Sequence, residues 1–416
     1  MTSLPHPHFA NLLGIITLAI WLHLFFGRAW FWRVRNLDAD RTPPKEPAQW
    51  PSVIAVVPAR NEAETIAQTI ASLMLQNYPG EFSIVVVDDH STDATAALAY
   101  QAAAAHNASD RVLILTASEL PPRWTGKLWA LNQGVASVEV LQPDASIGND
   151  GDARAASRSA ASPTRQPPHF YWFTDADVTH GPDTLSQLVA RAEQDKLDIA
   201  SLMVLLQSKT LPERALIPAF LYFFLMLYPP GWIADEDLAT AGAAGGCILL
   251  KRSALDRIGG LAAIRAEVID DCALAKAVKS TGGKVWLGLT RKSTSLRAYK
   301  TFGEIRDLIA RTAFTQLRYS LLLLAGTVLG MLLTYLAPIA LLLAPGATAR
   351  TLAAAAWLLM TLSFLPTVRY CRLSCIWAPL LPLTALFYTY ATWLSALRYW
   401  LGKGGQWKGR AQAPKT

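Results

Sequence analysis

The chain has 416 residues, of which 52% are hydrophobic and only 17% charged, and its formal net charge is +7. This composition is too apolar for an ordinary soluble enzyme, in which about 25% of residues are charged. No motif that reads nucleic-acid bases is present, so the positive charge does not indicate a nucleic-acid partner. The basic residues instead gather beside apolar segments, which is typical of proteins that contact anionic lipid headgroups.

The first predicted element is a membrane anchor in residues 1–35. Residues 9–26 contain no acidic or basic side chain apart from His23, and about 20 apolar residues are enough to span a bilayer. The segment has no charged n-region and no obvious A-x-A cleavage site, so we expect an anchor rather than a removed signal peptide. Basic residues follow it directly, and the positive-inside rule places them, with the domain that follows, in the cytoplasm. These residues are Arg28, Arg33 and Arg35.

Short apolar runs alternate with helical patterns after residue 50. Residues 53–57, 84–87 and 112–115 are rich in β-branched side chains, which is typical of buried parallel strands. Their alternation with helices predicts an α/β fold with a doubly wound, mostly parallel sheet. Residues 142–168 are rich in Ala, Ser, Asp, Gly and Pro, and we expect a disordered surface insertion there.

Carboxylates cluster after the predicted strands. Asp175 and Asp177 come directly after the apolar run at 170–173, and Asp88 and Asp89 end another such run. In open α/β sheets, ligands bind outside the carboxyl ends of the strands. Like charges concentrated there are costly unless a cation or hydrogen-bond donors offset them.

The Asp175-Ala176-Asp177 motif is the most informative of these acidic pairs. Its hard oxygen ligands suit a Mg²⁺ or Mn²⁺ ion that carries a phosphate-bearing substrate. An isolated D-x-D is more often two solvated loop aspartates, so the motif gains weight only from the other acidic clusters. These are Glu62, Asp88-Asp89 and Asp270-Asp271.

Two common nucleotide-binding motifs are missing from the sequence. Neither a G-x-x-x-x-G-K-[ST] loop nor a G-x-G-x-x-G loop follows a predicted strand, which argues against P-loop enzymes and dinucleotide dehydrogenases. Gly126 and Lys127 instead stand at a predicted helix start, where an ammonium group and free backbone N–H groups would face a phosphate. Taken alone, a surface lysine on an amphipathic helix is the commoner explanation.

Taken together and in order, these motifs resemble family 2 glycosyltransferases of GT-A fold. The matching segments are 56–62, 72–79, 87–93, 126–134 and 175–177, followed by a glycine pair with its strand at 245–252 and an acidic pair at 270–274. The resemblance covers roughly residues 50–320. With the N-terminal anchor and the C-terminal apolar segments, the layout looks most like the hopanoid-biosynthesis-associated glycosyltransferases.

The resemblance implies a donor site for a nucleotide-sugar. The nucleoside pocket would be lined by Ala59, Arg60, Asn61, Glu62, Asp88 and Asp89. Lys127 would contact the diphosphate, and Asp175 would contact the nucleotide. Asp175 and Asp177 would together hold the Mg²⁺ or Mn²⁺ ion.

It also implies the groups that act on the acceptor. Asp271 matches the catalytic base of the family, and Gly245 and Gly246 would let the backbone approach the sugar or the acceptor. Asp270 replaces the usual Glu, which makes this acid one methylene shorter.

A second departure lies in residues 315–319. The Gln/Arg-x-x-Arg-Trp motif of many relatives is altered there, because Tyr319 replaces the Trp and Thr315 replaces the Gln or Arg. Gln316 and Arg318 are candidates for the acceptor or diphosphate region. Arg318 could equally be an interfacial anchor before a membrane span.

Residues 321–400 contain three further candidate spans, at 321–344, 351–368 and 375–397. If all three crossed the membrane in addition to the N-terminal span, the basic tail at 401–416 would lie outside the cell, whereas its charge favours the inside. One segment is therefore expected to be re-entrant or interfacial, and 375–397, which contains Pro379 and Pro382, is the best candidate. A further apolar segment, 215–228, is too short to span and is either an interfacial or a core helix.

The sequence therefore predicts a multi-pass enzyme of the inner (cytoplasmic) membrane with its catalytic domain in the cytoplasm. It would move a sugar, with inversion, from a nucleotide-sugar donor (a UDP-sugar is the expectation) to a lipid acceptor that could be hopanoid-related. A processive polysaccharide synthase, or a non-catalytic membrane scaffold with a degenerate domain, are the alternatives.

Overall fold

A computed structural model describes residues 7–105, 111–140, 167–402, 406–407 and 410–411. The insertion predicted at 142–168 lies outside these residues up to residue 166. The chain divides into two compact units. We call them the helical unit, made of Met1–Asp38, Leu206–Thr240 and Ala298–Gln406, and the sheet unit, made of Ala39–Leu205, Ala241–Arg297 and Trp407–Thr416.

The sheet unit contains eight strands in one mixed sheet. In chain order they are β1 (Val53–Ala59), β2 (Phe82–Asp88), β3 (Val112–Thr116), β4 (Phe170–Phe173), β5 (Val178–Thr179), β6 (Ile199–Leu205), β7 (Ile248–Lys251) and β8 (Val285–Ser295). A separate two-stranded ribbon pairs β9 (Gln406–Trp407) with β10 (Arg410–Ala411).

The helices alternate with these strands and then form the C-terminal part of the chain. They are α1 (Pro7–Leu22), α2 (Val34–Leu37), α3 (Ile66–Met74), α4 (Thr95–Ala105), α5 (Gly126–Val140), α6 (Thr184–Asp195), α7 (Leu211–Leu227), α8 (Pro230–Ala234), α9 (Arg252–Arg257), α10 (Asp270–Ser280), α11 (Phe302–Gln316), α12 (Leu321–Met331), α13 (Ala337–Leu341), α14 (Ala347–Tyr370) and α15 (Leu381–Trp400).

Strand order in the sheet is β3-β2-β1-β4-β7-β6-β8-β5. The first four strands in this order are parallel, so their carboxyl ends meet at one edge. The register pairs Ala59 with Asp88 and Asp88 with Thr116. β7 runs antiparallel to both β4 and β6. The predicted α/β architecture is confirmed, with β7 as an antiparallel insertion inside the sheet and β5 antiparallel to β8 at its edge.

The sheet core positions the edge that carries the acidic residues. Every residue of β1 and β4 is buried, and α3 packs Ile66, Ile70 and Leu73 against the sheet. Full burial of such a side chain contributes about 1.5–3 kcal/mol. Helix α5 lies very close to the sheet at Gly134, where an added Cβ would stand 2.4 Å from Val56 Cγ1. The absence of a side chain at Gly134 therefore sets the depth at which α5 packs.

Within the residues described, five helical segments are long and apolar enough to cross a membrane. They are His8–Gly27, Leu211–Ala234, Leu321–Leu341, Ala347–Tyr370 and Cys375–Trp400. Four of them were predicted. The fifth corrects the prediction for 215–228, because α7 and α8 extend that apolar segment to 24 residues. Of the most apolar 18-residue stretch of this segment, 61% is buried inside the protein. This burial favours a core helix over an interfacial helix.

Candidate active site

Lys127, the second residue of α5, is the centre of a charged cluster in the sheet unit. Its Nζ lies 2.9 Å from Asp175 Oδ1 and 3.2 Å from Asp270 Oδ2. Asp175 follows β4, and Asp270 begins α10. Three segments that are distant in sequence thus bring one ammonium and two carboxylates together. We call Lys127, Asp175, Gly245, Asp270 and Asp271 the Lys127 cluster.

Asp271 is held in the cluster by two backbone donors. Its Oδ2 accepts a hydrogen bond from Gly245 N at 2.9 Å, and its Oδ1 accepts one from Cys272 N at 2.7 Å. Desolvation, together with the negative charge of Asp270, raises the pKa of Asp271 to about 6 against the opposing effects of Lys127 and the backbone donors. The group is therefore ionised at neutral pH but more basic than an ordinary aspartate, which suits a general base.

Lys127 stays charged in this setting. Burial alone would lower the pKa of its ammonium group, but the attraction of Asp175 and Asp270 outweighs burial and leaves the pKa above its ordinary value. An ammonium ion that faces more carboxylates than it can neutralise is suited to hold an anionic ligand together with a further cation.

The glycine pair shapes the floor of the cluster. A Cβ at Gly245 would stand 3.1 Å from Lys127 Nζ and 3.3 Å from Asp271 Oδ2, tighter than ordinary side-chain contacts. At Gly246 an added Cβ would meet Val204 Cγ2 at 3.2 Å. An added side chain at either glycine would therefore crowd its neighbours, and the predicted approach of this backbone to the sugar or the acceptor stays a prediction.

A small cavity opens beside these charged groups. Its polar side carries Lys127, Asp175, Asp270 and Asp271, and its apolar side includes Pro58, Leu128, Phe173, Ile248 and Leu274. With Gly245, which also lines it, the structure therefore places five of the predicted site residues around one cavity at the carboxyl edge of the sheet.

Asp177 differs from Asp175 in its partner. Its Oδ2 lies 3.6 Å from Arg297 Nε, and its carbonyl oxygen accepts a hydrogen bond from Leu296 N at 2.7 Å. Arg297 lies two residues after the end of β8 and was not predicted as a site residue. A cation after a long strand is the only sequence signal that could have indicated it.

The acidic residues fit a divalent ion only if a bound substrate supplies further ligands to it. Among the residues described, no group of three or more His, Cys, Asp or Glu side chains is arranged to hold a metal. Asp175 offers one carboxylate whose side chain is 36% exposed. Mg²⁺ is usually bound by one or two carboxylates plus substrate phosphates, so Asp175, with Asp177 nearby in sequence, fits an ion that arrives with a nucleotide.

A second polar arrangement lies at the ends of β1 and β2. Arg60 pairs with Asp89 through Nη1 and Oδ2 at 3.6 Å, and Ser91 Oγ donates a hydrogen bond to Asp88 Oδ1. Asn61 N donates to Ser91 Oγ at 3.0 Å. We call Arg60, Asn61, Asp88, Asp89 and Ser91 the strand-end network.

The remaining residues predicted for the nucleoside pocket adjoin this network. Ala59 is the buried last residue of β1, and its carbonyl oxygen accepts from Asp89 N at 2.8 Å. Glu62 N donates to Thr95 Oγ1 at 2.8 Å. All six predicted pocket residues therefore lie together at the ends of two neighbouring strands.

His180 is a site-supporting residue that the sequence did not reveal. Its Nε2 lies 2.7 Å from Thr174 Oγ1, which donates to Gly246 O at 3.0 Å, and its Nδ1 lies 2.9 Å from Ser293 Oγ. Burial lowers the pKa of His180 to about 3, so the ring is neutral and only orients its partners. Nothing in the sequence distinguishes it from a surface histidine.

Gln316 and Arg318 lie in the helical unit. Gln316 ends α11, and its Oε1 accepts a hydrogen bond from the Tyr228 hydroxyl at 2.9 Å. Arg318 is exposed and has a left-handed backbone with φ of +52°. Their predicted role near the acceptor or the diphosphate stays a prediction.

The sequence matches the models of two known protein families. Residues 168–412, more than half of the chain, match the model of glycosyl transferase family 21. The chain belongs to glycosyl transferase family 21. Residues 54–139 also match the model of glycosyl transferase family 2, in agreement with the resemblance inferred from the motifs. This family 21 member is therefore a glycosyltransferase. The search of curated proteins found no match to the chain.

Solved structures agree on the fold. A mannosyltransferase from Pyrobaculum calidifontis, described in complex with GDP-Man and Mn²⁺, has a TM-score of 0.53 and 18% identity, and the match covers 93% of this chain and 99% of that one. This similarity establishes the GT-A-like fold of the family 21 chain.

Two further structures are more distant. TarS 1–349 of S. aureus, in complex with UDP, has a TM-score of 0.37 and 13% identity over 84% of this chain and 92% of that one. Glucosyl-3-phosphoglycerate synthase of M. tuberculosis has a TM-score of 0.36 and 16% identity over 68% and 85%. At these scores the two structures add nothing to the argument for this chain.

Proposed function

We propose that this glycosyltransferase moves a sugar from a nucleotide-sugar donor to the hydroxyl group of a membrane lipid, with inversion at the anomeric carbon. The observation that carries the proposal is the Lys127 cluster, which places a basic carboxylate and an ammonium group at one cavity. A base for the acceptor and a cation for the donor phosphates are the two groups that this reaction needs.

Asp271 is the proposed catalytic base. With its pKa near 6, it is ionised at pH 7 and takes the proton of the acceptor hydroxyl as the oxygen attacks the anomeric carbon. The bond from that carbon to the donor diphosphate breaks in the same displacement, and the nucleoside diphosphate leaves. General-base help of this kind is typically worth about 10²–10⁴ in rate.

Lys127 is the proposed contact for the donor diphosphate. Its ammonium group would stabilise the negative charge that develops on the leaving group, an effect worth about 10²–10³ in kcat for a single well-placed donor. A Mg²⁺ or Mn²⁺ ion held by Asp175 and Asp177 would neutralise the same charge when bound. Arg297 holds Asp177 in place for this role.

The other predicted residues take supporting roles in this scheme. The strand-end network, with Ala59 and Glu62, would receive the nucleoside. Gly245 and Gly246 would leave room for the sugar and the acceptor oxygen, and Gln316 and Arg318 would contact the acceptor or the diphosphate.

A lipid acceptor is favoured by the apolar helices. Five segments could cross or enter a membrane by length and composition, which would bring a lipid hydroxyl to an enzyme anchored there. We place the protein in the inner membrane with the sheet unit in the cytoplasm, because arginines follow the first span. A polycyclic lipid of the hopanoid type and a polyprenyl phosphate are the two acceptor classes to test.

A donor screen tests this proposal. The purified enzyme would be incubated with membrane lipid extract, Mn²⁺ and either UDP-sugars or GDP-mannose, and the lipids would be read by mass spectrometry. We expect one hexose-sized mass added per lipid with one donor only. A polymer of sugars would instead indicate a processive synthase, and no product with any donor would contradict the proposal.

A further inference from the structure

We infer that the chain crosses the bilayer three times only, and that Cys375–Trp400 forms a surface embedded in the leaflet on the catalytic side, with the non-crossing segment Leu211–Ala234 packed against it. The inference rests on the membrane attachment proposed above and goes beyond it. It assigns an interaction surface for the lipid interface and places the basic tail on the same side of the membrane as the sheet unit.

Strand pairing in the sheet excludes a crossing by Leu211–Ala234. This segment lies in the chain between β6 and β7, yet the two strands are hydrogen-bonded neighbours that pair Ile199 with Leu250 and Ser201 with Ile248. A bilayer core is about 30 Å thick, so two paired strands cannot lie on opposite faces of it. The segment must therefore return to the side from which it enters.

Helix α11 marks the surface of the membrane on that side. It follows β8 without any intervening apolar segment and carries Glu304, Arg306, Asp307 and Arg311 in 15 residues. A charged side chain at the bilayer centre costs about 2.5–3.5 kcal/mol on insertion scales, so four of them keep α11 out of the hydrocarbon core. The helix is instead expected at the headgroup level.

The last turns of α15 run alongside α11. Arg398 Nη2 lies 2.7 Å from Asp307 Oδ1, and Phe314 N donates to Ser395 Oγ at 3.0 Å. Ring centroids of Phe302 and Phe387 are 6.2 Å apart. These contacts join both ends of α11 to residues 387–398, so this part of α15 lies at the same membrane level as α11.

The remaining part of the segment is too short to cross. Residues 375–386 comprise a 3₁₀ helix, Cys375–Leu380, and the first turns of α15, which together extend roughly 21 Å against about 30 Å for the bilayer core. Two bonds also join α15 to the non-crossing α7. Thr384 Oγ1 donates to Ala215 O at 3.1 Å, and the Tyr388 hydroxyl donates to Leu216 O at 3.0 Å.

Contacts with α14 show that Cys375–Trp400 enters the membrane before it returns. Trp357 Nε1, in the middle of α14, donates to Pro379 O at 3.1 Å, although only the turn after Tyr370 separates the two helices. The chain therefore descends beside α14 and comes back along α7 and α11, as a re-entrant segment does.

Three segments are left to cross, and their far ends meet. Ala10 in α1, Leu341 in α13 and the first turns of α14, at Ala349 and Ala353, form one buried cluster. Trp21 Nε1, later in α1, donates to Thr334 O at 2.7 Å. His8–Gly27, Leu321–Leu341 and Ala347–Tyr370 thus form a bundle of three spans.

The distribution of basic residues agrees with three crossings. The far side would hold the start of α1, which carries no Lys or Arg, and the turn before α14, which is followed by Arg350. The catalytic side would hold the remaining basic groups that adjoin the spans, as the positive-inside rule favours for the cytoplasm. These are Arg28, Arg33, Arg35, Arg318, Arg369, Arg372, Arg398, Lys403, Lys408 and Arg410.

The exposed side chains of Cys375–Trp400 fit the lipid interface. Tyr390, Trp393 and Trp400 are each about half exposed, at 51%, 49% and 48%, and Arg398 lies among them. Tyrosine and tryptophan with flanking arginine are enriched at headgroup level. The partner of this surface is therefore the leaflet on the catalytic side.

Cysteine labelling tests the number of crossings. Single cysteines would be introduced into full-length protein that carries Cys375→Ser, because the other three native cysteines are buried. Thr416→Cys reports the tail and Ser3→Cys the N-terminus. Leu343→Cys, which is 88% exposed in the turn before α14, is the far-side control, and Ser253→Cys on the surface of α9 is the catalytic-side control.

A membrane-impermeant maleimide would be applied to intact and to permeabilised cells. We expect Ser3→Cys and Leu343→Cys to react in intact cells, and Thr416→Cys and Ser253→Cys to react at least tenfold more after permeabilisation. Reaction of Thr416→Cys in intact cells would show that α15 crosses and would overturn the inference. Reaction of all four, or of none, before permeabilisation would overturn it as well.

Two further measurements separate this inference from the proposed function. Release of the protein by an alkaline carbonate wash would refute membrane attachment itself, and the inference with it. Normal sugar transfer to lipid together with a contradictory labelling pattern would refute only the three-crossing arrangement. Each cysteine variant must match the transfer rate of the Cys375→Ser parent, which shows that the fold is intact.

Discussion

Around Lys127, carboxylates from two distant segments of the chain share one ammonium group. At the ends of β1 and β2, by contrast, Asp88 and Asp89 contact side chains of the loops that follow these same two strands. In the Lys127 cluster the partners of Lys127 are Asp175 and Asp270, more than 40 residues away in the chain. In the strand-end network, Asp88 accepts from the neighbouring Ser91. The two groups lie in the same sheet unit but are built from different kinds of contact.

The difference shows which region depends on a ligand. In the strand-end network each carboxylate has a partner within the network, Ser91 for Asp88 and Arg60 for Asp89. The Lys127 cluster, within the described residues that line its cavity, sets one ammonium against three carboxylates. Excess negative charge is costly unless a cation joins it, so this cluster is the one expected to respond to a metal ion and a donor.

Apart from the loss of the proposed base, removal of the ammonium group should have the largest effect. Lys127→Ala leaves the donor diphosphate without its proposed cation, and we expect kcat to fall by about 10²–10³. Lys276→Ala, on the exposed face of α10, is the matched control and should keep wild-type turnover. Initial rates with saturating donor would measure both, and equal rates for the two variants would remove Lys127 from the site.

Metal dependence should separate the two aspartates of the D-x-D motif from the strand-end network. Asp175→Asn and Asp177→Asn each remove one anionic ligand, and we expect the Mn²⁺ concentration for half-maximal transfer to rise by about 10–100-fold. Arg297→Ala should shift it in the same direction by less, because it acts only through Asp177. A Mn²⁺ titration of transfer by each variant measures this. An unchanged titration for both aspartate variants would contradict a shared ion site.

The pH dependence of transfer should report Asp271. A base must be deprotonated, so kcat/KM should fall about tenfold per pH unit below the pKa near 6. An ordinary aspartate, with a pKa of about 3.9, would retain full activity at pH 5. Asp270→Asn removes one cause of the raised pKa and should move this acid limb to lower pH.

Protonation of Asp271 should lower the rate of transfer but raise the stability of the folded protein. The folded state binds the Asp271 proton more tightly than the unfolded state does, so this group adds stability as the pH falls from 7 to 5. An acid limb caused by unfolding would therefore show as a loss of melting temperature over the same range, which we do not expect from this residue.

The smallest effect on turnover should come from the strand-end network. Ser91→Ala removes a donor to Asp88 and an acceptor for Asn61 N, and we expect a loss of about 1–3 kcal/mol in the free energy of unfolding. The chemical step should keep its rate at saturating donor, while the donor KM rises. Thermal unfolding and initial rates would measure the two effects. A fall in kcat as large as that of Lys127→Ala would erase the contrast between the two regions.

Much of the sheet could be predicted from the sequence because its strands are short apolar runs. The runs at 53–57, 84–87 and 112–115 correspond to β1, β2 and β3. The position of β7 between β4 and β6 could not be predicted, because an antiparallel insertion depends on pairings across the whole sheet rather than on local pattern.

The acidic residues of the site could be predicted because acidic pairs recur at several places along the chain. Asp175, Asp270 and Asp271 stood out as members of acidic pairs. Lys127 stood out as a cation at a predicted helix start and gained weight from the family resemblance. Arg297 and His180 were missed because their roles depend on contacts over 100 residues in sequence, with Asp177 and Ser293.

Hydropathy predicted the apolar segments of the helical unit, but it did not predict which segments group together. Apolar length identified the segments at 9–26, 321–344, 351–368 and 375–397. It could not show that residues 206–240, placed within the predicted domain at 50–320, group with the apolar helices. Only the pairing of β6 with β7 reveals that this segment returns to the same side.

The most direct test of the central claim, that the Lys127 cluster is the site of glycosyl transfer, is the Asp271→Asn variant. Lipid transfer and donor binding by the purified protein would be measured together, with Asp256→Asn on the exposed surface of α9 as the control. We predict a fall in transfer of about 10²–10⁴, with donor affinity and melting temperature close to those of the control. Transfer by Asp271→Asn at the rate of the control would contradict the account.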